Sequence, residues 1–426
     1  MLSIEDNKLL TEVGPGKPMG DLLRRYWHPV CAVAEIAESG FRTKEVTILG
    51  EDLVVYRDRS GNLGMVAANC MHRRAKLAYG VVEDDGIRCV YHGWKFDAQG
   101  NCMEQPYEDT THPEDNYKAK CSITAYPVQE LAGLVWAYMG PQPAPLLPRW
   151  APMVSVNSVR DIGIIELPCS WLQCQENTLD PVHTEWLHNY GGDYYRSIFK
   201  GEEPSIGHEW QHLKVAFDEF EHGIIKRRLT KGQSEDSDPW KVGHPMVFPN
   251  ILLSGNPNQN QMQFRVPIDD TRTRHYTLHT WQAADGTRAP EQDIVPAREF
   301  PLYDEKGRFK DLGVFFMQDY MVWAGQGAIA KRNLEKLGQS DAGVILFRRQ
   351  LMQQLQLVVN GSEPTINIFR DPDKNRVIEL PIERFHYRGS PRYVPTEPGY
   401  SKDKDKIEAV MATWEQAAQK TAAPVS

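Results

Sequence analysis

Apolar positions in the first third of the chain fall in short runs of strand length: EVTILG (45–50), LVVYRD (53–58), GMVAANC (64–70), IRCVYHGWKFD (87–97) and LVWAYMG (134–140). Turns rich in Gly and Asp, such as DRSGN (58–62) and DAQGN (97–101), punctuate them and predict a small antiparallel β module. The pattern breaks at PQPAPLLPRWAP (141–152), where five prolines in twelve residues exclude a continuous helix or a central strand. Beyond it, strand-like runs IGIIEL (162–167), NILLSG (250–255) and HYTLHTWQ (275–282) mix with helical ones, of which AGVILFRRQLMQQLQLVV (342–359) is the clearest. The whole predicts an α+β chain with an all-β N-terminal part and a mixed second part. GPGKPMG near the start follows no strand and is expected to be a turn.

Composition narrows the classes. The 426 residues are 41% hydrophobic and 25% charged, an ordinary globular balance with room for two or three domains. With 48 Lys and Arg against 57 Asp and Glu, a net charge of −9 argues against non-specific binding to nucleic acid or an anionic membrane. Stretches such as LAGLVWAYMG (131–140) are about half the ~20 residues of a membrane span, and MLSIEDNKLL lacks the features of a signal peptide. A cytoplasmic protein is expected. Seven cysteines are too few and too odd in number for a disulfide framework.

Two of those cysteines stand beside histidines. Cys70-Met71-His72 and Cys89-Val90-Tyr91-His92 are separated by sixteen residues, and each half mixes the two donor types. Structural zinc sites usually pair like with like. The mixture suits a binuclear cluster in which Cys70 and Cys89 hold one iron and His72 and His92 the other. Neutral imidazoles in place of two thiolates raise such a cluster to roughly −150 to +300 mV, against about −400 mV for all-cysteine ferredoxins. Tyr91 and Trp94, flanking Gly93, would shield one side. A zinc knuckle, or two unrelated core pairs, is the bland competitor. Cys31, Cys102, Cys121, Cys169 and Cys174 lack such partners and read as small buried hydrophobes.

A second constellation lies in SWLQCQENTLDPVHTEWLHNY (170–190). Asp180-Pro181 reads as an N-cap and first helical position, so a helix is expected from about Pro181. At about 100° per residue, His183 and His188 would lie roughly 140° apart, so sharing a metal requires long reach or local distortion. Two imidazoles and a carboxylate would leave positions open for O2 on Fe(II). The candidate carboxylate is Asp319, an acid in the apolar stretch GVFFMQDYMVWAGQG (313–327), where an unpaired charge is costly. Asp311 and Glu335 are its competitors on more polar segments.

C-x-H-x16-C-x2-H followed by Gly93-Trp94, together with D-x2-H-x4-H at 180–188, resembles the Rieske non-heme iron oxygenases. Met71 departs from the Pro that the family commonly has there. The resemblance implies an N-terminal segment (1–25), an all-β Rieske [2Fe-2S] domain (26–140), a Pro-rich linker (141–152) and a helix-grip catalytic domain (153–426). It implies that Cys70, His72, Cys89 and His92 ligate the cluster and that His183, His188 and Asp319 bind the mononuclear Fe(II). By the same resemblance Asp180 links a neighbouring subunit's cluster to the iron, Asn177 sits beside the iron, and subunits form a homotrimer or a dimer of trimers.

No G-x-G-x-x-G strand–turn–helix or plant-type C-x4-C-x2-C pattern is present, so electrons are expected from a ferredoxin and an NAD(P)H-dependent reductase. GPGKPMGDLLRRYWHPV (14–30), HRRAKLAYG (72–80) and EQPYED (104–109) look like the phthalate-dioxygenase-type branch. That branch implies O2-dependent O-demethylation of a methoxylated, lignin-derived aromatic acid such as 5,5′-dehydrodivanillate, with ring dihydroxylation of an acid such as phthalate as the alternative. Arg227, Arg228 and Arg265 are candidates for the substrate carboxylate, and nothing in the sequence chooses among them. A pure electron carrier and a zinc-binding interaction protein are the remaining readings.

Overall fold

Val54, Val55, Met65 and Val66 are fully buried, and this apolar content draws Glu51–Arg57 between Thr43–Ile48 and Leu63–Ala67 as an antiparallel sheet, with Ala125–Tyr126 on its outer side. In a second sheet, every position of Leu134–Tyr138 is buried between Trp27–Ala32 and Val128–Leu131. The computed structural model describes residues 1–203, 210–384 and 401–422. Among them no helix is long and apolar enough to cross a membrane.

The third sheet corrects one expectation. The run 87–97 is two two-residue strands, Ile87–Arg88 and Lys95–Phe96, around a tight turn. The Trp94 carbonyl accepts from the Cys89 N–H (2.8 Å) and the Cys89 carbonyl from the Gly93 N–H (2.9 Å). Gly93 has φ +78° and a Cβ there would meet Pro106 Cγ at 3.0 Å, so both backbone and space call for glycine. Val81–Val82 and Cys102–Glu104 complete this sheet. Near the N-terminus, only the first part of GPGKPMG is a turn; Pro18–Leu23 is a short helix with Met19, Leu22 and Leu23 buried.

The second half of the chain is built on eight strands. In spatial order they are His212–Phe220, Gly223–Thr230, His244–Val247, Ile251–Gly255, Gln259–Pro267, Thr273–Gln282, Ser158–Leu167 and Ala297–Glu299. All neighbours are antiparallel except the last pair. The row Ile224–Met246–Leu252–Gln263–Thr277–Gly163 runs across one face, because cross-strand partners share a face. Ile165, two residues beyond Gly163, packs under Phe316, Tyr320 and Trp323 of the helix Phe315–Gly325, which therefore covers that same face. The helix Ala342–Val359 matches its sequence pattern and buries Phe347, Leu351 and Leu355.

The two halves share a core. Trp136 meets Phe264 edge-on (centroids 5.1 Å), Tyr26 meets Phe248 (5.8 Å), and the Leu49 N–H donates to the Pro267 carbonyl (3.0 Å). The proline-rich segment is laced to the chain beyond residue 365: Leu146 N–H to the Phe369 carbonyl (2.7 Å) and Ala151 N–H to the Ile378 carbonyl (3.0 Å), with Trp150 buried beside them.

Candidate active site

Two similar turns carry the first constellation. Cys70 accepts from the Arg74 N–H (2.9 Å) as Cys89 does from Gly93, so each cysteine starts a turn that places its histidine near the tip. Cys70 and Cys89 are buried and His92 is exposed. The His72 and His92 rings approach to 4.4 Å, and Trp94 stacks on His72 at 4.6 Å with 6° between planes. Burial, with Cys89 alongside, pushes the Cys70 thiol up to about 11, so a thiolate there calls for a cation. Partial desolvation by its neighbours, with His72 and Arg73 close by, holds the His92 imidazole below its usual range. His72 Nδ1 is buried without a hydrogen-bond partner. Two thiols and two imidazoles converging from matched turns fit a cluster with mixed ligands.

The second constellation is assembled by a helical irregularity. Thr184–Tyr190 is a π-helix, preceded by a turn at Pro181 rather than by the α-helix expected there. Residues five apart are hydrogen-bonding neighbours in such a helix, so the rings of His183 and His188 stand 5.1 Å apart instead of diverging. Asp319 comes from the covering helix Phe315–Gly325. Its Oδ1 lies 3.2 Å from His188 Nε2 and 3.7 Å from His183 Nε2. One ligand atom from each of the three residues lies within 4.8 Å of the other two.

His188 Nε2 and Asp319 Oδ1 are buried without hydrogen-bond partners, although neighbours, and His183 Nδ1 is likewise unpartnered. Burial pushes His183 down to about 4, against the pull of Asp319 and Asp180, so its imidazole is neutral at pH 7. Burial raises the Asp319 carboxyl, but His188, His183 and Arg265 more than offset this and hold it below the usual range. Two imidazoles and one carboxylate with orphaned, converging atoms fit a divalent metal with open positions.

Gln318 is a contributor that the sequence motif did not reveal. Its Nε2 donates to the Leu312 carbonyl (2.8 Å), which turns Oε1 toward His188 Nδ1 (2.9 Å). His188 then carries its proton on Nδ1 and presents the Nε2 lone pair to Asp319's neighbourhood. Adjacency to Asp319 was the one signal available in the chain.

Asp180 serves two neighbours at once. Its Oδ1 accepts from the Val182 and His183 N–H groups (2.9 and 3.2 Å), while Oδ2 lies 3.8 Å from His183 Nδ1. Asn177 accepts the Asp180 N–H at its carbonyl (3.1 Å), and its side chain makes no hydrogen bond among the described residues. The segment is anchored by Glu176, whose buried carboxylate accepts from Arg332 Nη2 (2.7 Å) and Arg348 Nε (2.6 Å). Of the competing acids, Glu335 pairs with Arg348 (2.8 Å) and Asp311 caps the turn at Gly313 (3.2 Å).

The sheet face beneath this centre is polar. Arg265, His275 and His279 are buried on it, and burial pushes Arg265 down to about 10 and His279 to about 3. Lys226 is pushed down to about 7, chiefly by burial and then by Arg228. Arg227 points to the other face and pairs with Asp218 (2.5 Å).

The chain is similar to known proteins in sequence and in fold. The family described as the Rieske [2Fe-2S] domain matches residues 26–127, and the one described as LigXa C-terminal domain like matches residues 302–375. The chain is 43% identical to the 5,5′-dehydrodivanillate O-demethylase oxygenase subunit of Sphingobium sp. (strain SYK-6), over 89% of this chain and 87% of that one. It is 33% identical to the phthalate 4,5-dioxygenase oxygenase subunit of Pseudomonas putida, over 83% and 86%. In fold it is similar to NdmA of Pseudomonas putida CBB5 with caffeine, at TM-score 0.59 and 20% identity over 83% of this chain and 94% of that one.

Proposed function

This chain belongs to the Rieske non-heme iron oxygenases, enzymes with a [2Fe-2S] cluster and a mononuclear iron, and on that premise we propose that it O-demethylates a methoxylated, lignin-derived aromatic acid such as 5,5′-dehydrodivanillate. The observation that carries the reading is the 43% identity to such an O-demethylase over nearly the whole chain, with the three-residue centre assembled. Cys70, His72, Cys89 and His92 would hold the cluster, and His183, His188 and Asp319 the iron. The proposed division is an N-terminal segment (1–25), a Rieske domain (26–140), a proline-rich connection (141–152) and a catalytic domain (153–426).

When bound, the cluster supplies electrons singly and the iron activates O2. The protein's own side chains prepare the centre. Gln318 fixes the His188 tautomer, burial keeps His183 neutral, and the ionised Asp319 supplies the negative charge. Low side-chain exposure of His183, His188 and Asp319 (15%, 4% and 7%) keeps bulk water out. Exposed His92 and half-buried Asp180 would be the departure and arrival points for an electron passing between subunits of a homotrimer or a dimer of trimers. A ferredoxin and an NAD(P)H-dependent reductase would supply it in the cytoplasm.

The balanced reaction hydroxylates the methoxy methyl with one oxygen atom. The hemiacetal collapses to a phenol and formaldehyde, and the second oxygen atom leaves as water with two electrons and two protons. Incubation with ferredoxin, reductase, NADH and 5,5′-dehydrodivanillate should release formaldehyde in step with NADH consumed. A cis-diol without formaldehyde would refute O-demethylation and favour the ring dihydroxylation suggested by the phthalate-oxygenase relative.

A further inference from the structure

Buried cations in this chain divide into two groups. Arg24, Lys95, Arg332 and Arg348 each have a carboxylate oxygen within 2.5–2.7 Å. Lys226, Arg228 and Arg265 are equally buried (6%, 9% and 1% exposed), and none has a carboxylate partner among the described residues. An unpaired buried charge costs several kcal/mol in general, and a fold tolerates it where a ligand completes the pairing.

All three sit on one face. Lys226 and Arg228 lie two and four residues from Ile224, Arg265 lies two from Gln263, and Ile224 and Gln263 belong to the same cross-strand row. That face is the one under the helix bearing Asp319. Arg265 stands over the Trp323 ring of that helix (Cζ to centroid 5.7 Å) and donates from Nη2 to Gln263 Oε1 (2.6 Å). Its Nε and Nη1 are buried with no acceptor. Arg228 lies over the Trp210 ring (5.6 Å), so an aromatic surface accompanies the charge at both places. His244, beside Lys226 in the register, is held by Glu383 (2.9 Å), which leaves that carboxylate engaged with a histidine. Asp180 and Asp319 are near enough to act on Lys226, and Asp319 on Arg265, but neither carboxylate forms an ion pair with these cations.

We propose that this face is the recognition surface for the substrate's carboxylate groups, with Arg265 as the principal anion-binding residue and Lys226 and Arg228 as its companions across the sheet. The proposal rests on the O-demethylase reading for its aromatic acid, and it selects Arg265 and Arg228, and adds Lys226, where the sequence offered three arginines without a choice. Guanidinium N–H groups without acceptors suit a carboxylate, and the indole faces suit the ring that bears it.

The test uses the metal-loaded protein and measures binding, not turnover. The probes are biphenyl-3,3′-dicarboxylate and its uncharged dimethyl ester, titrated calorimetrically into wild type, Arg265→Met and Lys226→Met. Wild type should prefer the acid. Arg265→Met should lose about ten- to hundred-fold in acid affinity, the effect of deleting a charged hydrogen-bonding partner, with ester binding and cluster absorption unchanged. Lys226→Met should lose acid affinity more modestly and melt at a higher temperature without ligand, because an uncompensated buried charge is gone. Equal binding of acid and ester by wild type, or unchanged acid affinity in Arg265→Met, would overturn the proposal. Acid preference without formaldehyde release would sink the O-demethylase reading and leave this surface standing; formaldehyde release without acid preference would do the reverse.

Discussion

Replacing Gln318 by Leu tests whether the centre depends on a prepared histidine. Gln318 is 1% exposed, so no water can replace its Oε1 when the amide is removed. The His188 Nδ1–H, bonded at 2.9 Å, would be left buried and unsatisfied. Such a loss costs about 1–3 kcal/mol. Loss of a partner that orients a metal-binding histidine typically weakens metal affinity about 10- to 100-fold, which is roughly 1.4–2.8 kcal/mol, so the two estimates agree. Anaerobic Fe(II) titration against a competing chelator measures the effect, with cluster absorption as an internal control for folding. Gln318→Glu keeps an acceptor at the same place and should retain iron near the wild-type level. Iron affinity within twofold of wild type in the Leu variant would refute the reasoning, because His188 would then be oriented by packing alone, for example by its stack on Phe315 (3.5 Å).

Three further outcomes are expected. Asp319→Ala should lose the mononuclear iron while keeping the cluster, read by metal analysis and low-temperature EPR; full iron occupancy would remove Asp319 from the ligand set. Asp180→Asn should keep both metals, because the amide oxygen can still cap Val182 and His183, yet slow turnover at least tenfold; unchanged turnover would reduce Asp180 to a cap. Glu176→Gln should destabilise by about 3–5 kcal/mol by leaving buried Arg332 without a carboxylate, while Arg348 keeps Glu335, read as a lower melting temperature. Burial raises the Glu176 carboxyl but the two arginines hold it below its usual range. Its stabilisation is therefore present above the unfolded carboxylate value near ~4.3 and fades as pH falls through the lower folded value. The variant should show a flatter acid limb, and an unchanged one would mean other carboxylates set it.

The two groups of candidate metal donors could be picked out in the chain because donor chemistry is local. Cys70-x-His72 and Cys89-x2-His92 each occupy one turn, the first closing at Arg74 and the second at Gly93, both with positive φ. The mixed donor types in each half then point to a cluster. Helix Ala342–Val359 was legible for the same reason, since its apolar spacing reports which side is buried. The run 87–97 misled because an apolar stretch can line a cluster turn as well as form a strand.

What the chain could not show depends on distance along it. Counting residues places His183 and His188 on different sides of an α-helix, and only the π-helix, packed between the turn at Pro181 and the helix Gly191–Lys200, brings them together. Asp319 was a candidate by its apolar setting, but its 3.2 Å approach to His188 required the covering helix to cross the sheet. Gln318 carries no motif at all. The choice among Arg227, Arg228 and Arg265 turned on strand register, since a one-residue step sends a side chain to the opposite face. Sequence alone pointed to the candidate donors and to the family. Tertiary structure decided the geometry of the iron centre and which cations are buried without partners, because both depend on elements that meet only when the sheet and its covering helix close.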